Sequence, residues 1–270
     1  MAPKPLSPAE SRAAAASAWK VAFWGLVIYA GGRIAALLLE SMSMPAAVAQ
    51  AVIAEWGAGR LGVAWSDPTQ PMPEVSAIAR RAGLGAAVGF VSAVVVVGFL
   101  ATTHAVILER SSPAASMLVV GLVTAGLYAM RDELLLHGLV MRSLVSVDAP
   151  VLKVIACGLT SAGAAYGEIG GGAPMAVAAQ GLLGMVFGAL WVRDRGAWPA
   201  WGAHTAWLFG TGLLMQGGFF EVKVASTPWG GADAGPLGGM AAVLALAPLA
   251  AGALVGSARP RPAPPPPAAD

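Results

Sequence analysis

Long apolar blocks alternate along the chain with short polar breaks, and several blocks reach the ~20 residues that a helix needs to cross a bilayer. The first runs from Trp19 to Glu40, after a polar, Ala-rich segment at residues 1–18 that reads as the flank of an uncleaved signal anchor. Residues 41–81 are mixed: the patch AAVAQAVIAEW predicts an interfacial helix, and the Gly, Pro and acidic residues after it predict a loop. A second span is predicted from Gly83 to Leu108, stopped by Glu109, Arg110 and Pro113. The block from Ala114 to Val145 is too long for one crossing and is broken by Arg131, Asp132 and Glu133, so it predicts a span plus a bent or re-entrant continuation.

Three more spans follow, from Val151 to Tyr166, Pro174 to Val192 and Trp198 to Phe220, the last two joined by the tight turn RDRGAWP. Trp191, Trp198 and Trp201 border that turn as an interfacial aromatic belt would. A final span covers Leu237 to Val255, and the Pro-rich tail at 258–270 predicts a disordered, extended end. The expected fold is all-α: a polytopic transmembrane helix bundle of about seven spans over residues 19–257. Basic residues occur in both sets of loops, so the pattern leaves the orientation open.

Composition agrees, with 57% hydrophobic and 11% charged residues and a mean hydropathy of +0.71. A soluble domain carries roughly 25% charged residues, so the solvent implied here is lipid. A net charge of +2, spread singly over loops, argues against a nucleic-acid partner. Cys157 stands alone, which excludes an internal disulfide and a cysteine metal cluster and makes it a buried packing residue. Arg33, inside the first span, predicts a structural ion pair or a place near a site, and His104 an interfacial or core histidine.

The chemistry concentrates in few residues. Glu133 and His137 are four apart, hence on one helix face, with Asp132 about 100° round from Glu133. Ionisable groups are costly in lipid and are kept mainly where they face a polar cavity. Arg131 and Arg142 could instead neutralise the acids in a structural knot. Glu168, ending one span, and His204, inside another, add an acid and an imidazole in later helices, as a bundle-core site requires. Glu133, His137, Glu168 and His204 would also suit zinc or manganese, although no spacing demands a metal, and no other cofactor is expected.

The frame Asp132, Glu133, three leucines, His137, Gly138 resembles the first motif of the CPBP intramembrane proteases, the group that includes CAAX prenyl endopeptidases and bacteriocin-immunity or Abi proteins. That motif has two glutamates, three mostly apolar residues, arginine and glycine, so Asp replaces the first Glu and His the Arg. The second motif, an aromatic followed four residues later by His, is replaced by Thr160, Ser161, Ala164 and Glu168. The third, His followed four residues later by Asn or Asp, matches at His204 but has Leu208 in the second place. The similar stretch covers about Pro113 to Gly217.

The resemblance implies a CPBP-like core over about 113–217, acting on membrane-anchored or lipid-modified proteins near their C-terminus, and the high Ala, Gly and Pro content points to a bacterial inner (plasma) membrane. The resemblance makes Asp132 the base for a water, Glu133 its orienting partner and His204 the oxyanion donor. Glu168 falls at the assisting position, and His137 supplies an imidazole from a different helix. The departures are expensive: Asp for Glu retracts the carboxylate, and a misplacement of ~1 Å can cost ~100-fold. Three uses therefore stay open: an intramembrane endopeptidase, a pseudoprotease or Abi-like partner that binds membrane segments, and a proton-relay transporter.

Overall fold

The computed structural model describes the fold of residues 8–66, 72–169, 172–215, 218–224, 228–231 and 234–259. The helices are α1 (Pro8–Leu38), α2 (Ser43–Arg60), α3 (Val75–Thr102), α4 (Ala115–Asp132), α5 (Leu139–Ser143), α6 (Pro150–Ile169), α7 (Pro174–Asp194), α8 (Trp198–Met215) and α9 (Met240–Ala258). Two short strands, β1 (Val106–Arg110) and β2 (Phe220–Val224), pair antiparallel with Val106 opposite Val224 and Arg110 opposite Phe220. The expected all-α membrane bundle is borne out in class, while the count of seven spans is not. Among the described residues four helices are long and apolar enough to cross a membrane: 17–38 within α1, α3, α7 and α9.

Several boundaries differ from the sequence reading, among them the start of α3 at Val75, inside the predicted loop. The predicted second span ends at Thr102, with VILER leaving it to form β1, and the helix of the predicted sixth is α8, which ends at Met215, with Phe220 opening β2. In FEVKV the apolar and charged residues alternate with the period of two that belongs to a strand. α1 begins at Pro8, so part of the polar segment at 1–18 is helical, while residues 1–7 and the tail from 260 lie outside the described residues.

Helix ends gather at two faces. At one, the Ala197 amide donates to the Trp65 carbonyl at 2.9 Å and Arg81 pairs with Asp194 at 3.4 Å, so the end of α2, the start of α3 and the α7–α8 turn lie together. At the other, Lys223 pairs with Glu109 across the strands at 2.7 Å. Small residues set the spacing between helices. A Cβ on Gly85 or Gly89 of α3 would strike the carbonyls of Pro199 or Ala203, and one on Gly202 of α8 would strike that of Ala82. In lipid such close approach is the main source of helix association, since apolar side chains gain nothing by leaving lipid tails. Cys157, fully buried, fits the packing role expected of it, against Gly188 of α7.

The α3–α8 contact positions His204, so it is a place to test the fold. Gly89→Ala should force the two backbones apart and lower the thermal midpoint in micelles by at least ~4 °C. Gly98→Ala, on the same helix with nothing within 4 Å of its Cβ, should leave the midpoint unchanged or raise it slightly.

Candidate functional site

Between α4 and α5 the helix does not continue as α. Residues Glu133–Gly138 form a π turn. Wider turns of this kind occur mostly as single turns inside α-helices, and frequently at functional sites. Within it Glu133 and His137 meet, and Gly138 lies against Val63 and Trp191. The Glu133 carboxylate has no exposed surface and accepts three hydrogen bonds. One comes from His137 Nδ1 at 2.9 Å, one from His204 Nδ1 at 2.9 Å and one from Trp191 Nε1 at 2.6 Å. A carboxylate can only accept, so both imidazoles carry their Nδ1 proton toward it. His137 Nε2 then reaches Ser161 Oγ on α6 at 3.0 Å. Phe187 of α7 stacks on the His204 ring, with centroids 4.4 Å apart. Three elements, the π turn, α7 and α8, are thus joined at one carboxylate, and His137 extends the link to α6.

Asp132 lives differently. It lines a cavity of about 540 Å³, to which His137, Ser161, Glu168, His204 and Leu208 also contribute. Arg131 Nε donates to its Oδ1 at 2.6 Å and Arg131 Nη1 donates to Gln50 Oε1 of α2 at 2.6 Å. Its Oδ2 is 3.9 Å from His204 Nε2. Glu133 does not line this cavity; it stands behind the two histidines that do. Glu168 is at the cavity's outer edge, paired with Arg33 of α1 at 2.8 Å and accepting from Tyr29 Oη at 3.0 Å.

Of the five residues expected at the site, Glu133, His137 and His204 are in direct contact, and Asp132 adjoins them across the cavity wall. Glu168 faces the same cavity but bonds to α1 instead of the histidines. Arg33 satisfies both expectations for it, an ion-pair partner at the site's edge. His104 is exposed, at φ +55° where α3 ends. Arg131 neutralises Asp132, but Arg142 lies over Gly62, away from the acids. The imidazoles direct their nitrogens at Glu133 and Ser161 rather than at a common point. Among the described residues no three His, Cys, Asp or Glu side chains are grouped to hold a metal ion.

Sequence reading missed two participants. Trp191 was expected in the interfacial belt, yet it is 5% exposed and its indole N–H is spent on Glu133. Gln50 had no signal beyond being polar in an Ala-rich helix; it is 2% exposed and receives Arg131.

Titratable side chains sealed among apolar helices, beside a polar cavity, define an integral membrane protein with a carboxylate and histidine site. Comparison with known proteins narrows this: the family model described as Type II CAAX prenyl endopeptidase Rce1-like matches residues 111–210. The match holds Asp132, Glu133, His137, Glu168 and His204, and it bears out the resemblance to the CPBP group. At the level of the family it supports a CAAX protease-like intramembrane endopeptidase. No curated protein and no solved structure matches the chain.

The Trp191 bond is separable from its packing. Trp191→Phe keeps an aromatic ring in the buried slot but deletes the donor, and should cost about 1–3 kcal/mol of unfolding free energy in micelles. Trp198→Phe, which loses a bond to the Ser66 hydroxyl in a half-buried place, should cost well under half of that.

Proposed function

We propose that the chain is an intramembrane endopeptidase that hydrolyses a peptide bond near the C-terminus of membrane-anchored or lipid-modified proteins. The observation that carries this reading is the division between the two neighbouring carboxylates: Asp132 faces the cavity, while Glu133 is sealed behind it and holds the His204 ring. Asp132 takes a proton from a water at the cavity wall, and the water oxygen bonds to the substrate carbonyl carbon. With Nδ1–H of His204 donated to Glu133, a proton on Nε2 makes the ring an imidazolium able to donate to the carbonyl oxygen as it becomes an oxyanion. Such preorganised donors in a dry site are usually the largest catalytic contribution. When the C–N bond breaks, Asp132 returns its proton to the leaving amine.

Arg131 fixes one Asp132 oxygen and leaves Oδ2 on the His204 side. His137, tied to Glu133 and Ser161, braces the cluster from the π turn. Leu208, one turn beyond His204 on the cavity wall, offers the oxyanion nothing. Its presence makes the expected activity low, since one lost donor in a comparable site costs ~10² to 10³.

Cleavage of membrane substrates carrying a lipid-modified C-terminal region tests the reading. Asp132→Ala and His204→Ala should each reduce the rate by at least ~100-fold. Leu208→Asn, which adds a donor beside His204, should raise it by about tenfold or more. Wild-type cleavage no faster than either alanine variant would end the enzyme reading and favour a protein that only binds such segments.

A further inference from the structure

A hydroxyl inside a helix usually turns back on its own backbone. Those of Thr102, Thr160, Thr211 and Ser257 each donate to a carbonyl three or four residues earlier, at 2.8 to 3.2 Å. Ser161, the neighbour of Thr160 on α6, instead meets Nε2 of His137 at 3.0 Å. His137 gives its Nδ1 proton to Glu133 at 2.9 Å, which leaves Nε2 of the neutral ring to accept the proton of the Ser161 hydroxyl.

Hydroxyl, imidazole and carboxylate therefore stand in line. Both links fall within the ~2.6–3.2 Å over which a base activates a nucleophile and an acid orients that base. The orienting acid is fixed, because Glu133 has no exposed surface and also accepts from Trp191 and His204. Ser161 and His137 both line the 540 Å³ cavity, where a substrate carbonyl has access to the hydroxyl. A Cβ on Gly184 of α7 would strike Ser161, so glycine there lets α7 come close to the hydroxyl. Gln180, one turn earlier on α7, and His204 line the same cavity and supply N–H donors for an oxyanion. The wall is divided: Arg33, Glu40 and Arg131 offer charge, while Leu37, Leu136 and Leu183 offer hydrocarbon. Such a wall fits an amphiphile, an acyl chain joined to a polar alcohol.

We propose that Ser161 is the nucleophile of a second activity at this cavity, the hydrolysis of amphiphilic carboxylic esters through a covalent acyl-serine. His137 takes the Ser161 proton as Oγ bonds to the carbonyl carbon. The C–O bond to the alcohol then breaks, and the alcohol leaves with the proton held by His137. A water gives a proton to His137 as its oxygen bonds to the acyl carbon. The acid departs when Oγ leaves that carbon and regains the proton, so ester and water become acid and alcohol. The endopeptidase reading works through Asp132 and a water and gives Ser161 no bond to make, so the two activities stand or fall separately.

An alkyl fluorophosphonate, which forms a P–O bond to an activated serine with loss of fluoride, tests the proposal on the full chain in micelles. Mass spectrometry of the wild type should place the adduct on Ser161. Ser161→Ala should lose it, and His137→Gln should slow its formation at least ~100-fold. Ser257→Ala, whose hydroxyl is spent on the Leu254 carbonyl, should react as the wild type does. Release of p-nitrophenol from the laurate ester should begin with a burst of about one equivalent, and the acetate ester should turn over at least ~10-fold more slowly. No adduct on the wild type, or an adduct on another residue, would overturn the nucleophile however the variants fold. Acetate cleaved as fast as laurate would overturn the amphiphilic substrate. The adduct forms without a peptide, so its absence would count against Ser161 and leave the Asp132 reading standing.

Discussion

A carboxylate without exposed surface, inside a bundle meant for lipid, survives only if its hydrogen-bonding capacity is filled, and Glu133 has three donors placed for that. Those donors come from the π turn, α7 and α8, so the requirement to satisfy one side chain fixes the relation of three elements. The close approach of α3 to α8 through Gly85, Gly89 and Gly202 serves the same end, since it sets the helix that brings His204. Removing one partner of a buried charged pair costs ~3–5 kcal/mol, comparable to much of a domain's net stability. Site and fold are therefore hard to separate in this chain, and the site is also the strongest specification of the bundle.

Two acids adjacent in sequence end up in different media. Asp132 meets a polar cavity and an arginine, while Glu133 meets only donors and apolar walls. The proposed division, a working role for the first and a holding role for the second, draws on this contrast more than on any spacing. The same cavity shows where the chain departs from the motifs of the CPBP proteases that it resembles. Ser161 of α6, where the motif would have a histidine close by, instead meets the imidazole of His137 from the π turn. Glu168, on the same helix, is drawn off to Arg33 and Tyr29, where it ties the lightly packed α1 to the edge of the cavity.

Much of this was legible in the sequence because lipid makes polar residues conspicuous. The bundle class followed from block length, and Glu133, His137 and His204 stood out as costs that needed a reason. What escaped depended on geometry that leaves no trace in hydropathy. A π turn differs from an α turn by one residue in a hydrogen-bond ladder, and ELLLHG does not announce it. Trp191 has the sequence context of an interfacial tryptophan, and only the packing of Gly138 and Val63 around it turns its N–H inward. Strand β1 escaped because Val106–Leu108 continue an apolar run, and β2 because five alternating residues between an apolar helix and a Gly- and Pro-rich loop are too short to stand out.

Both buried imidazoles give their Nδ1 proton to Glu133, and the chain has only three histidines, which makes a direct observation practicable. Nitrogen-15 spectra of histidine-labelled protein in micelles should show two rings with a slowly exchanging Nδ1 proton, and exposed His104 without one. Both protected signals should shift or vanish in Glu133→Gln. Spectra in which the buried rings leave Nδ1 bare, or in which Glu133→Gln changes neither, would contradict the claim that this carboxylate organises the site.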